Sequence, residues 1–318
     1  MKNSSRSFPS TAANATAIAM MHPNETPKGV GDLPWTEPLL LNISHLTRYT
    51  YEGHVRDSFN EARLQPMSDS LQQCREFQFK INPDSQIRDY PDFYANCVHY
   101  FDVPDPHESL EVQAISTVQT LPENRGPVPV TDPGTIASST IKEQFFDFLQ
   151  SSEFVSLDAE VWREAIDALP SGLKDIWNDT VSIGEHIHRN YKYTPQSTNV
   201  NTRAVEVVKK KEGVCQDFAH LMLGLLRTHG IPARYVSGYF LNKNRLPGEI
   251  EASHAWLEVY IPGYGWKGYD PTHCRESDTR YVKLAVGRDY TDIRPVGGTF
   301  RGKGTRKMIV EVTVDRVG

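Results

Sequence analysis

The sequence predicts an α+β protein: a small antiparallel β-domain, then a mixed domain in which helices come first and an antiparallel sheet follows. Three observations carry this. Residues 40–122 hold short stretches rich in aromatic and β-branched residues, broken by Pro, Asn and Asp, the pattern of strands joined by turns. From residue 141 apolar residues recur at helical spacing. Beyond Pro232 the stretches become strand-like again, and the tail TRKMIVEVTVDRV alternates through Ile309, Val312 and Val314.

Taken in order, residues 1–39 mix Ser, Asn, Pro and Gly without a sustained period and read as a flexible arm. Lys2 and Arg6 precede TAANATAIAMM, which is too short and too rich in Thr and Asn for a good secretory signal. LNISHLTRYTY opens the β-domain with Ile43, Leu46 and Tyr49 among polar residues. FNEARLQPM, CREFQFKINP, FYANCVHYFDVP and SLEVQAISTVQTLP continue it. NRGPVPVTDPG, proline-rich and aperiodic, makes 123–140 a linker. IKEQFFDFLQSSEFV and DAEVWREAIDALPSG predict helices, the second stopped by Pro170 and Gly172. LKDIWNDTVSIGEHIHRNYKY predicts a third, with Ile176, Trp177, Val181, Ile183, Ile187 and Tyr191 on its apolar face. KKKEG reads as a polar approach to a fourth, CQDFAHLMLGLLRTHG, closed by Gly230 and Pro232. ARYVSGYF, SHAWLEVYIP, WKGYDPTH and the tail are the strands that complete a second domain over 141–318.

Composition narrows the function. A chain of 318 residues suits two domains, and 38% hydrophobic with 23% charged residues fits a globular protein with a sizeable core. A net charge of −6 gives no basic footprint for nucleic acid. No apolar run is long enough to cross a bilayer, so no membrane partner is expected, and the expected location is the cytoplasm. Oligomeric state stays open. The four cysteines, at 74, 97, 215 and 274, form no CxxC pair, which argues against a zinc knuckle or a thioredoxin-like centre. Cys74 and Cys97 read as buried small hydrophobes, with a disulfide as the alternative in an oxidising compartment.

The candidate chemistry centres on Cys215. A thiol where a loop enters a helix faces unpaired N–H groups and the positive end of the helix dipole. Both favour a thiolate nucleophile, and the same N–H groups can hold an oxyanion. Gly213 is expected to permit a tight turn before it. A buried core cysteine is the other reading. His254, in SHAWLEVY, can take the thiol proton and return it to a leaving amine, or be a structural histidine. Asp270, in GYDPTH, ends the next strand ahead of Pro271; it can fix the imidazole tautomer, or merely form an Asx turn. Tyr193, Gln216 and Trp256 are candidates for the pocket or the oxyanion site, Trp256 because it shares the His254 side of its strand. Asp217 and His220 read as structural, and the lysines at 209–211 as a solvated face. His186 and His188 cannot share a ligand site, no acidic cluster completes a metal centre, and no phosphate loop or EF-hand loop is present, so no cofactor or metal is expected.

Two blocks, EGVCQDFAHLMLGLLRTHGIPARYVSGYF and ASHAWLEVYIPGYGWKGYDPTH, resemble the core of the transglutaminase-like superfamily. YVKLAVGRDYTDIRPVGGTFRG resembles the segment after the Asp in bacterial members. HLTRYTYEGHV through LEVQAISTV resembles the β-domain that precedes the core in that group. The resemblance spans about residues 42–318. It implies a papain-like fold with Cys215 as nucleophile, His254 as general base and acid, and Asp270 as orienter. It also implies acyl transfer at an amide bond of a protein or peptide. Related activities include peptide or isopeptide hydrolysis, amidase-like reactions and transglutamination, and many bacterial members are described only as proposed cysteine proteases. Cys274 stands where relatives often carry Gly or Asn, four residues past Asp270 and so near the pocket or open to an adventitious disulfide. Hydrolysis is the first expectation and amine transfer the second. A binding or scaffolding role is the alternative outside enzymes.

Overall fold

The computed structural model describes residues 35–195, 197–198, 202–242, 253–303 and 305–317. The flexible arm expected over 1–39 lies almost wholly outside these. Strand β1 (Leu39–Ala62) buries every second residue from Leu39 to Tyr51, as a period of two demands of a strand with one face on a core. Its neighbours in the chain are β2 (Gln72–Asn82), β3 (Ile87–Pro91), β4 (Cys97–Val103) and β5 (His107–Thr120). The sheet runs β2-β5-β1-β4-β3, all antiparallel. The first half of β1 pairs with β5, and after an irregularity between Thr50 and Val55 its second half pairs with β4.

The helices follow: α1 (Ser139–Gln144), α2 (Ala159–Ala168), α3 (Ile176–Asn190), α4 (Ala204–Lys210) and α5 (Cys215–Thr228). Two departures from the sequence reading occur here. IKEQFFDFLQSSEFV forms only short α1 and a 3-10 turn, Phe146–Leu149. The reason is the three-residue spacing of Phe145 and Phe148, which both bury against Trp266 while Phe146 stays exposed. Helix α4 is the second: the sequence reading assigns AVEVV no element, since its β-branched valines do not favour a helix, yet Ala204 and Val207 bury on one face. Between these helices β6 (Lys192–Tyr193) pairs in parallel with β7 (Glu212–Gly213).

The second sheet comprises β8 (Ala233–Phe240), β9 (His254–Ile261), β10 (Gly265–Asp270), β11 (Arg275–Glu276) and β12 (Tyr281–Gly287), ordered β11-β10-β9-β8-β12. Helix α5 packs on it through Ala219, Leu223 and Leu226 against Ala233, Leu257 and Val259 in one core. Twelve of its 14 residues are buried, which is why its sequence is apolar nearly all round rather than striped. It ends in a Schellman turn: Ile231 N–H donates to Leu226 C=O and Gly230 N–H to Arg227 C=O, with Gly230 at φ 76°.

The last two strands, β13 (Val296–Arg301) and β14 (Arg306–Arg316), leave this sheet and join β1. The alternating tail is thus a strand, but it sets Val314 opposite Ile43 and Val312 opposite His45 in the N-terminal sheet. The two sheets also share a core. Tyr239, Val282 and Leu284 of the second, with Leu241 just past β8, pack with Leu41, Tyr49 and Val112 of the first.

Candidate active site

Cys215 is the first residue of α5, and the segment delivering it is tied down locally. Lys211 ends α4 in left-handed backbone at φ 55°. Its ammonium lies 2.7 Å from Glu164 and 2.9 Å from the Tyr191 hydroxyl. Glu164 also accepts from His186 at 2.7 Å. The lysine run is therefore not all solvated face. The tight turn expected at Gly213 falls at Lys211. Gly213 is needed instead for close approach, since a Cβ there would stand 2.7 Å from that of Asp217. Asp217 caps the helix: its Oδ2 accepts from Val214 N–H at 2.8 Å and from the Thr198 hydroxyl at 2.5 Å. Burial raises the Asp217 pKa to about 6, with those two hydrogen bonds pulling the other way.

His254 opens β9 and Asp270 closes β10. Antiparallel register sets Tyr269 opposite Leu257, which brings the carboxylate to the imidazole. His254 Nε2 lies 2.7 Å from Asp270 Oδ2, and both residues are buried. The Cys215 thiol is within hydrogen-bonding reach of the same ring. With Nε2 committed to the carboxylate, Nδ1 is the nitrogen left for sulfur. Burial alone would lower the His254 pKa. The charge and hydrogen bond of Asp270, joined by Cys215, outweigh it and push the ring up to about 10. Burial acts to raise Asp270, but His254 and His273 hold it well below the usual carboxylate range.

Asp270 does more than the sequence reading assigned. Its Oδ1 accepts from Thr272 N–H at 2.8 Å, an Asx turn, while Oδ2 serves the imidazole. The Asx turn and the contact with the imidazole are made by different oxygens. Oδ2 also accepts from His273 Nδ1 at 2.6 Å and from the Tyr281 hydroxyl at 2.9 Å. His273 and Tyr281 were not singled out from sequence. His273 was findable, three residues past Asp270 in a turn; Tyr281 arrives from the far edge of the sheet and has no local signal. His254, Asp270 and His273 are the one group among the described residues whose ligand atoms converge enough to hold a metal ion. Hydrogen bonds already join them.

The secondary candidates divide. Trp256 stacks beside His254, ring centroids 6.0 Å apart, and is buried with Val236 and Tyr281. It forms the wall behind the imidazole. The Tyr193 hydroxyl is buried with no hydrogen-bond partner among the described residues. Burial and the nearby Cys215, Asp217 and Asp270 raise its pKa, which keeps it a donor. Gln216 is half-buried on the first turn of α5. His220 stacks between Phe154 and Tyr235 and accepts from Tyr290 N–H, and burial lowers its pKa to about 3. The four cysteines are free thiols, and Cys274 Sγ lies 3.4 Å from the Tyr269 hydroxyl. No helix among the described residues is long and apolar enough to cross a membrane.

Comparison with known proteins gives the family and the fold. Residues 168–271 match the transglutaminase-like superfamily, and residues 41–119 match the bacterial transglutaminase-like N-terminal region. An uncharacterised protein of Mycobacterium leprae is 32% identical over 282 residues, covering 87% of this chain and 99% of that one. One from Mycobacterium tuberculosis is 32% identical over 305 residues, covering 90% and 95%. A protein-glutamine gamma-glutamyltransferase of Pseudomonas aeruginosa is 36% identical over 93 residues, 27% of this chain and 14% of that one. The crystal structure of a proposed cysteine protease from Cytophaga hutchinsonii superposes with a TM-score of 0.72 at 21% identity, covering 89% and 92%. The fold is that of its structural relative.

Proposed function

This chain belongs to the transglutaminase-like superfamily, and from that footing we propose that it is a cysteine-nucleophile enzyme acting on amide bonds of a protein or peptide. The observation that carries the reading is the buried chain from Cys215 through His254 to Asp270, with the ring held in its charged form by the carboxylate. In the proposed reaction the Cys215 sulfur attacks the amide carbonyl carbon, and the carbonyl π electrons move to oxygen. The N–H groups at the start of α5 face that oxyanion, and the Tyr193 hydroxyl, a buried donor without a partner, is a further donor to it. As the C–N bond breaks, the His254 proton passes to the departing nitrogen, leaving a thioester on Cys215. The acceptor then attacks the thioester, gives a proton to His254 and releases the thiolate.

With water as acceptor the net reaction is peptide, isopeptide or amide hydrolysis, which requires no second binding site. Amine transfer is the second reading, favoured by the similarity of 93 residues to a protein-glutamine gamma-glutamyltransferase. The test is mass spectrometry of a protein and peptide pool incubated with the full chain and a labelled primary amine, beside Cys215→Ala. Cleaved backbone, released ammonia or incorporated amine, absent with the variant, is the expected result and chooses between the acceptors. The same products are expected with chelator present. Loss under chelation with recovery on adding calcium overturns the metal-free mechanism. No product in either sample turns the reading towards a binding domain.

A further inference from the structure

We propose that the N-terminal β-domain is a positioning element of the active site: Gln72 and Asn96 hold the outer edge of β12 and so keep the Tyr281 hydroxyl on Asp270. This rests on the reading of Cys215, His254 and Asp270 as the reacting set. Strand β12 ends its sheet, with β8 on one side only. The backbone groups on its other side need partners once buried.

Two side-chain amides from the β-domain supply them, joined by Met67 N–H, which donates to Lys283 C=O at 3.1 Å. Gln72 Nε2 donates to Lys283 C=O at 2.8 Å, and its Oε1 accepts from Lys283 N–H at 2.7 Å. Asn96 Nδ2 donates to Val286 C=O at 2.8 Å, and its Oδ1 accepts from Val286 N–H at 2.7 Å. A primary amide offers one donor and one acceptor side by side, so each clamp imitates a strand residue. The bulge between Lys283 and Ala285 sets the spacing, placing the two outward-facing pairs three residues apart. Both amides are buried and braced in turn. Gln72 Nε2 also donates to Met67 C=O at 2.7 Å. Asn96 donates to Asp92 from its side chain and from its backbone, each at 3.0 Å.

The clamps reach the site through Tyr281, two residues before the first of them. Its ring packs edge-on against Trp256, in a cluster with Val236 and Val286 against which Met67 and Tyr94 of the β-domain pack. Asp270 Oδ2 is shared by His254, His273 and Tyr281 at 2.7, 2.6 and 2.9 Å. Two imidazoles compete for one oxygen, and the third donor fixes where that oxygen stands. Without it the carboxylate can follow His273 and leave His254 loosely oriented. The Tyr281 ring also lies beside that of His254, centroids 6.1 Å apart, but its hydroxyl acts on the imidazole through Asp270; Tyr281, Gln72 and Asn96 are thus positioning residues.

The test needs no substrate. Alkylation of Cys215 by iodoacetamide is followed by mass spectrometry on the full chain near neutral pH, with an added one-cysteine peptide as internal reference. If wild-type Cys215 reacts no faster than the peptide, the reacting-set reading itself fails. If it reacts faster, Tyr281→Phe and Gln72→Met should each slow it about tenfold, the scale of a slight misplacement. Because both act on one contact, Gln72→Met in the Tyr281→Phe background should add less than about twofold. Multiplicative effects, or a folded Gln72→Met with wild-type reactivity, overturn the proposal. Should Gln72→Met not fold, Asn96→Leu removes both bonds to Val286, along with the side-chain bond to Asp92, and is read by the same criteria.

Discussion

Glu258 lies on β9 four residues after His254, on the same side of the strand. Its carboxylate is buried between two cations: Oε1 is 2.8 Å from Lys283 Nζ on β12 and Oε2 is 2.7 Å from Arg234 Nε on β8. Burial acts to raise its pKa, but Lys283 and Arg234 outweigh burial and hold it at about 2 against an ordinary 4.5. At ~1.4 kcal/mol per pH unit, that difference amounts to stabilisation on the order of 3 kcal/mol at neutral pH. Glu258→Gln keeps the shape and removes the charge. Loss of one partner from a buried pair costs about 3–5 kcal/mol. The lower end applies, because Lys283 keeps Asp69 at 2.8 Å and Arg234 keeps the Trp266 ring at 4.2 Å. A carboxyl with a depressed folded pKa stabilises fully above its unfolded value and loses that contribution as pH falls through the folded one. Urea unfolding of both proteins should therefore show a gap of about 3 kcal/mol at neutral pH that closes between pH 4.5 and about 2. A neutral-pH gap under about 1 kcal/mol, or one that does not narrow in acid, refutes the assignment of this triad of charges as the brace of the sheet.

Two other perturbations address the surroundings of the site. A Cβ on Gly184 would stand 2.2 Å from Tyr269 Cε1, where α3 crosses β10 beside Asp270. Gly184→Ala should cost about 1–3 kcal/mol in urea unfolding and slow Cys215 alkylation; an unchanged midpoint contradicts the packing. His220 is buried neutral, its pKa lowered to about 3. A histidine with a lowered folded pKa contributes stability present above about 6.5 and lost as pH falls below it. His220→Gln should reduce the slope of stability against pH just below 6.5 by up to ~1.4 kcal/mol per pH unit; an equal slope shows that His220 is not the group titrating.

The proposed reacting set was legible because each member sits on a local signal. Cys215 follows Gly213 at the start of an apolar run, His254 opens an alternating strand, and Asp270 precedes the proline that ends the next one. The family resemblance rests on those same blocks. The short helices were less legible. Phe145 and Phe148 fit either helical period over one turn, and the valines of α4 suit a strand equally well.

What the sequence by itself determined is therefore which segments alternate, where the longer helices lie, and where the three candidate side chains fall on them. These follow from periodicity and capping, which act within a few residues. Only the tertiary structure decided partnership. A period of two tells which face of the tail is apolar but not that Val314 lies opposite Ile43 rather than in the second sheet. Likewise nothing local marks Gln72, the first residue of β2, or Asn96, just ahead of β4. They become clamps on β12 only because the two sheets share a core that brings that strand's unpaired edge within hydrogen-bonding distance. Hydrogen bonds between residues about two hundred apart in the chain leave no pattern in either segment, since each depends on geometry the other supplies.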